Sequence, residues 1–492
     1  MTEQQSSYRQ IMKATSLFGG VQVFNIIIQI IRSKFIAVLL GPAGMGIMGL
    51  LTSTIDIISS LTNFGLGTSA IKDIAAANST ENNQQISTII IVFRRLVWIT
   101  GTLGTLVTLT LSPWLSQLAF GNRDYTTAFI WISITLLVTQ LSSGQLVILQ
   151  GMRKLKYLAQ ANLLGSAMGL IVTLPLYYFM GIDGIVPGMI GAACITLLFA
   201  WFYSRKITIQ PIKVSRLQTK NEGKSMLQMG FMISLSCLLA VGASYIVRIF
   251  ISRTGGVEQV GLYNAGFAII NAYVGLVFTA MATDYYPRLS AVAHDNRLCK
   301  QTINQQAEIA ILILAPILVV FLTFINWVVI LLYSRQFIAV NGMIYWAALG
   351  MFFKAASWSI AFIFLAKGSS KLFFWNELIT NIYLLGFNLL GYHYWGLNGL
   401  GISFALAYLI YLIQVYSISK KIFAFAFRPE LIRVFCIQFT LAIIGFLSVN
   451  YLSKPNTYIF GIMLIIASSL FSLRELDKRL DFISIIQKYR NK

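Results

Sequence analysis

Charge of one sign is scarce in this chain: only 16 acids stand against 37 lysines and arginines in 492 residues. Charged residues of all kinds make up 11% and hydrophobic ones 57%, which excludes an ordinary soluble domain and marks an integral membrane protein. Cysteine is scarce as well. The four (Cys194, Cys237, Cys299, Cys436) form no C-x-x-C pair and three lie inside apolar runs, which reads as buried packing rather than a redox or metal centre. The two histidines, His294 and His393, fall at opposite membrane faces in the topology below, so no metal site is expected. Outer loops are short and offer no carboxylate pair or nucleophile–base set, which argues against an enzyme. Gly223-Lys224-Ser225 has the look of a phosphate-loop end. That motif needs glycine at position 218, where Gln218 stands, and no strand precedes it. ATP and other cofactors are therefore not expected. A cleavable signal is not expected either: the polar start, Met1–Lys13, leads directly into a full-length apolar run.

What the chain has instead is hydrophobic length. A membrane helix needs about 20 apolar residues. Fourteen such runs occur, near 15–40, 44–70, 88–111, 126–149, 157–179, 182–203, 226–251, 260–283, 306–332, 342–366, 373–393, 397–419, 431–452 and 457–474. With the N-terminus in the cytoplasm and the spans alternating, 29 of the 37 lysines and arginines fall on or just inside the cytoplasmic boundary. Arg123, Arg253, Arg335 and Lys454 fall outside, and four more lie within spans. This is the positive-inside bias. The net charge of +21 thus points to anionic lipid head groups and not to nucleic acid.

The first two hundred residues recur at a shift of about 215. Arg32 corresponds to Arg248, Gly46 to Gly261 and Trp114 to Trp327. Gly151 and Lys154 return as Gly368 and Lys371, and Gly181-Ile182-Asp183-Gly184 returns as Gly396-Leu397-Asn398-Gly399. Six spans separate equivalent positions, so the repeats run parallel through the membrane. The expected fold is an all-α polytopic membrane protein of about fourteen transmembrane helices: two parallel six-helix repeats around a central cavity plus two C-terminal helices. The implied divisions are an N-terminal lobe (1–203), a basic cytoplasmic linker (204–225), a C-terminal lobe (226–420), two extra helices (421–474) and an amphipathic cytoplasmic tail (475–492). Pro175, Pro187 and Pro316 are placed to bend spans.

Four cations sit inside apolar runs: Arg32, Lys34, Arg248 and Lys354. A charge near the bilayer centre costs at least about 2.5–3.5 kcal/mol, so such residues face water, a partner or a charged ligand. Asp56 is the one acid expected at mid-depth, and it is the candidate ion-coupling group or charge partner. Two readings stay open for Arg32 (a bridge to Asp56, or a ligand contact) and for Arg248 (snorkelling, or a ligand contact). Lys354, near mid-depth, reads as cavity lining. Arg32 and Lys34 are two apart and do not share a helix face. Arginine binds phosphate through a bidentate fork, and lysine offers a mobile point charge. A pyrophosphate bearing a sugar would suit such a set. Gln22, Asn25, Gln29, Asn264, Asn271 and Trp358 are candidates to line a sugar path, with helix packing as the competing reading.

Three turn signatures carry a resemblance: Leu40-Gly41-Pro42-Ala43-Gly44-Met45-Gly46, Phe120-Gly121-Asn122-Arg123-Asp124-Tyr125 and Gly151-Met152-Arg153. Over roughly residues 10–420 the chain resembles the Wzx-type flippases of O-antigen and enterobacterial common antigen. These belong to the multidrug/oligosaccharidyl-lipid/polysaccharide (MOP) exporter superfamily. Many of its members have twelve spans, so the terminal pair departs from that pattern. The resemblance implies translocation of an undecaprenyl-pyrophosphate-linked oligosaccharide from the cytoplasmic to the periplasmic leaflet by alternating access. It places the chain in the bacterial inner membrane with both termini cytoplasmic. Membrane lipids, a polysaccharide polymerase and chain-length machinery are the implied partners, with no nucleic acid. A cation-coupled multidrug exporter of the same fold would want acids, and a glycan polymerase or ligase would want a substantial outer loop.

Overall fold

The computed structural model describes residues 24–79, 82–208, 212 and 214–480. Gln22 and the polar start before it lie outside the described residues, as does the tail after Leu480. Every regular element among the described residues is helical. Hydrocarbon offers the backbone no hydrogen-bond partner, so a chain this apolar satisfies its amides within helices.

Packing divides the chain into two units, Met1–Gly261 and Leu262–Lys492. The first holds α1 (24–39), α2 (Gly41–Thr62), α3 (Leu66–Ser79), α4 (Asn83–Phe120), α5 (Thr126–Gly151), α6 (Leu155–Met180), α7 (Ile185–Ser204), α8 (Arg216–Gly255) and the start of α9 (Val257–Ala268). The second continues from α9 through a π-helical turn (Ile269–Val274) into α10 (Leu276–Ala291). It then holds α11 (Asn296–Leu332), α12 (Asn341–Ala366), α13 (Ser370–Phe423), α14 (Pro429–Tyr451) and α15 (Lys454–Leu480).

Caps set several of these ends. The Asn82 side chain accepts from the amides of Gln84 and Gln85 to start α4, and Asp295 does the same for Arg297 and Leu298 at α11. Ser215 and Gln218 form a reciprocal capping box on α8. Gln218 is therefore a helix-capping residue, and Gly223-Lys224-Ser225 lies inside α8 rather than in a phosphate-binding loop.

Ten helices are long and apolar enough to cross a membrane among the described residues. Two of them, Leu155–Ser204 and Lys371–Phe423, run 50 and 53 residues, about twice the length of one crossing. Each folds back at a glycine with almost the same backbone: Gly181 at φ 56°, ψ −130° and Gly396 at φ 57°, ψ −139°. The second hairpin is antiparallel. Ser403 Oγ donates to the Phe387 carbonyl, and Gln414 Nε2 donates to Asn376 Oδ1 at 2.8 Å.

Two expected spans change shape. The run at 44–70 breaks after Thr62, because Phe64 and Gly65 adopt left-handed backbone and Gly65 lies against the Gly230 backbone, where a Cβ would stand 2.2 Å from the carbonyl oxygen. The run at 260–283 is interrupted by the π-helical turn. The fourteenth run, expected near 457–474, is the longer α15, 27 residues reaching Leu480.

The doubling leaves a mark on the backbone. Left-handed positions 41, 153 and 181 recur at 256, 368 and 396, every pair 215 apart. Helices α5 (126–151) and α12 (341–366) match end for end at the same shift. Gly46 packs on the Val257 carbonyl while its counterpart Gly261 packs on the Pro42 carbonyl; a Cβ on either glycine would stand 1.9 Å from that oxygen. Since 42 and 257 are also 215 apart, the contact is reciprocal.

Candidate functional site

In the first unit the charges gather around α2. Thr52, Asp56, Ser59 and Asn63 recur at helical spacing and so share one face of α2. With Thr135, Thr139, Gln140 and Ser143 of α5 they line a cavity of about 340 Å³, closed by apolar residues of α4 and α7. Threonines that hydrogen-bond back to their own helix allow this polarity within apolar helices: Thr139 Oγ1 donates to the Thr135 carbonyl at 2.6 Å. Gln140 Nε2 donates across to Thr100 Oγ1 at 3.1 Å. Asp56 is accessible from the cavity.

The sequence-predicted cations divide. No ion pair joins Arg32 to Asp56 among the described residues; the positive charge that reaches Asp56 is Arg248 on α8. Arg248 is half-buried, and its Nη1 donates to the carbonyl and hydroxyl of Ser244 one turn earlier. Next to it, Tyr245 and Thr54 join α8 to α2 through a 2.9 Å hydroxyl–hydroxyl bond. Arg32 on α1 is half-buried, and its Nε is buried with no hydrogen-bond partner. Lys34 lies two residues on and is also half-buried.

Lys354 lies in the second unit, midway along α12. Its Nζ is 3.4 Å from Asn271 Oδ1, on the π-helical turn. The same ammonium lies 5.2 Å from the centre of the Tyr408 ring, 5.7 Å from Phe404 and 5.8 Å from Phe278. Aromatic faces attract cations through their quadrupoles. No carboxylate pairs with Lys354 among the described residues. A π turn opens the ladder locally and is frequent at functional sites. Trp358, a candidate for the sugar path, packs instead in an aromatic cluster with Phe278, Tyr285 and Phe362.

Sequence reasoning passes over one acid. Glu377, in the first half of α13, accepts from the Tyr411 hydroxyl at 2.8 Å, beside the buried Asn376 that Gln414 holds from the returning half. An acid four residues inside an apolar run is the available signal.

The fold defines a multi-pass helical membrane protein. Its fold matches the lipid II flippase MurJ in an inward closed conformation, with TM-score 0.68 and 12% identity over 94% of this chain and 99% of that one. It also matches an inward-facing multidrug resistance MATE family transporter, with TM-score 0.67 and 15% identity over 82% and 94% of the two chains. Residues 35–341 match the polysaccharide biosynthesis protein family, and the chain belongs to that family. Lipid III flippase of Escherichia coli (strain K12) is 21% identical over 348 residues, 70% of this chain and 82% of that protein.

Proposed function

We propose that this protein is a flippase, a carrier rather than an enzyme. It would move an undecaprenyl-pyrophosphate-linked oligosaccharide from the cytoplasmic to the periplasmic leaflet by alternating access. The observation that carries this reading is Lys354: a mid-span ammonium held by an amide oxygen and three ring faces, with no carboxylate partner among the described residues. A cation so placed keeps its charge for an anion. Family membership and the distant likeness to lipid III flippase support a lipid-linked glycan as the cargo. Arg32, Lys34 and Arg248 are the further phosphate contacts we assign, with Asp56 as the charge partner or coupling group.

The finer architecture we adopt has fourteen crossings. Splitting the two hairpins at Gly181 and Gly396 turns ten spans into twelve; α1 and the α9–α10 segment supply the rest. The 215-residue recurrence supports two parallel six-helix repeats, with α14 and α15 appended. The basic-residue bias supports cytoplasmic termini. With the cytoplasm negative, an outward-moving anion gains about 2.3 kcal/mol per charge per 100 mV.

The test is a reconstituted assay of lipid-linked oligosaccharide accessibility. Arg32→Ala, Arg248→Ala and Lys354→Ala are each expected to slow translocation; three normally expressed variants with unchanged rates would refute the reading. A cation-coupled drug exporter is the second reading, favoured by one observation, the carboxylate of Asp56 in a polar cavity. It predicts drug efflux that depends on Asp56 and is indifferent to Lys354.

A further inference from the structure

A second charged cavity lies in the second unit, at the ends of four helices. It has a volume of about 610 Å³, within the range of ligand pockets. Its walls come from the end of α10 (Arg288), α11 a little over three turns from its start (Glu308), the start of α14 (Arg428, Glu430) and the end of α15 (Glu475, Lys478, Arg479). Helices α14 and α15 are the pair without a counterpart in the repeat, so this cavity has no equivalent in the first half.

Two of its three acids are already engaged. Glu308 is 6% exposed and accepts from Arg479 Nε at 2.8 Å. Glu475 accepts from Arg479 Nη1 at 2.6 Å and from Lys478 at 2.8 Å. Arg288 donates to a neutral group, Gln306 Oε1, at 2.7 Å. Arg428 donates its main-chain amide to Asn304 Oδ1 at 2.8 Å, which fixes the start of α14. Its guanidinium has no partner among the described residues, and Arg428 is half-buried in the cavity wall. Glu430, exposed in the first turn of α14, favourably faces that helix's N-terminal dipole. Four cations against three acids leave the cavity with one positive charge in excess. That surplus sits at a helix-end level where a membrane protein meets head groups.

We propose that this cavity binds the phosphodiester head group of an anionic membrane lipid, with Arg428 as its principal contact and Arg288 and Lys478 beside it. The planar guanidinium suits two phosphate oxygens at once. The orientation adopted above puts the site at the cytoplasmic leaflet; the binding itself does not depend on what the protein transports. Glycan translocation and lipid retention are therefore separate measurements, and either can fail without the other.

The experiment uses the purified full chain in a neutral detergent, equilibrated with phosphatidylglycerol, phosphatidylcholine or inorganic phosphate. Retained lipid is counted by native mass spectrometry and the melting temperature is read in parallel. Phosphatidylglycerol is expected to be retained over phosphatidylcholine and to raise the melting temperature. Arg428→Ala is expected to weaken that retention by about tenfold or more, as loss of one charge-assisted bond would. Arg428→Lys should recover part of it, and Arg335→Ala, at the other end of α11, should change nothing. Equal retention of the two lipids, or an Arg428→Ala variant that melts normally and retains phosphatidylglycerol like the unmodified chain, overturns the proposal. An Arg428-dependent shift with inorganic phosphate alone, undiminished by lipid, overturns the lipid as source and assigns the cavity to a soluble phosphate.

Discussion

Replacing Lys354 by methionine separates a transport role from a structural one. Position 354 is thirteen residues from the start of α12, about 20 Å along the helix, which the proposed topology places near mid-membrane. Holding an ammonium there costs about 2.5–3.5 kcal/mol on insertion scales. The three ring faces at 5.2, 5.7 and 5.8 Å return roughly 0.5–1 kcal/mol each. The sum is close to balanced. Methionine has similar length and packs well against aromatic rings. The variant should therefore melt within a few degrees of the unmodified chain. Translocation should behave differently. A lost charge-assisted bond to phosphate is worth about 1.5–3 kcal/mol, or roughly 10- to 150-fold in rate or affinity. The assay is transbilayer accessibility of a lipid-linked oligosaccharide in proteoliposomes, with melting followed on the same preparations. Lys354→Arg should keep a measurable part of the activity because it keeps the charge. Full activity in Lys354→Met would refute the reasoning, and so would inactivity accompanied by a collapsed melting temperature, since that would make Lys354 a packing residue.

Asn271→Asp should place a carboxylate against Lys354 Nζ, raising the melting temperature and lowering translocation; a variant that transports normally would show that the free charge is not needed. Asp56→Asn should remove any response of transport to an imposed proton or sodium gradient, read as transport rate with and without the gradient in proteoliposomes. Gly261→Ala puts a methyl group 1.9 Å from the Pro42 carbonyl oxygen. Overpacking of this kind costs about 1–3 kcal/mol, seen as a melting temperature lower by several degrees. Gln438 is fully buried and clasps Ser468 and Ser472 of α15 through three hydrogen bonds. Gln438→Ala should cost about 1–2 kcal/mol and loosen α15, measured by thermal melting or by protease access to the chain's C-terminal end.

Hydrophobic length alone makes most of the helices legible in the amino-acid sequence, because a lipid-facing helix has one dominant requirement. Their interruptions are less legible. The break at Phe64–Gly65 depends on the approach of Gly230, which is far away in sequence. The π turn at 269–274 has no compositional signal. Depth counting singles out Lys354 and Asp56 from spacing alone. The ring faces that hold Lys354 cannot be read that way, since Phe278 and the Phe404–Tyr408 pair come from α10 and α13. Glu377 escapes notice for the opposite reason. It sits so near a span's end that it passes for an interfacial residue, and only the return of α13 brings the Tyr411 hydroxyl to it.

The 215-residue shift joins these two sites in a way neither shows alone. Asp56 and Asn271 occupy equivalent positions, and so do Thr139 and Lys354. In the first unit the pair is a carboxylate and a hydroxyl lining one cavity. In the second it is an amide and an ammonium in contact. The backbone frame is shared, since α5 and α12 match end for end, while the charges on it are exchanged. An acid at position 271 would neutralise Lys354 where it stands, and an ion pair would replace the amide contact on which the proposed anion site depends. The doubling thus supplies two equivalent polar positions: at one a carboxylate feels the charge of Arg248, and at the other an ammonium meets an amide with no carboxylate partner among the described residues.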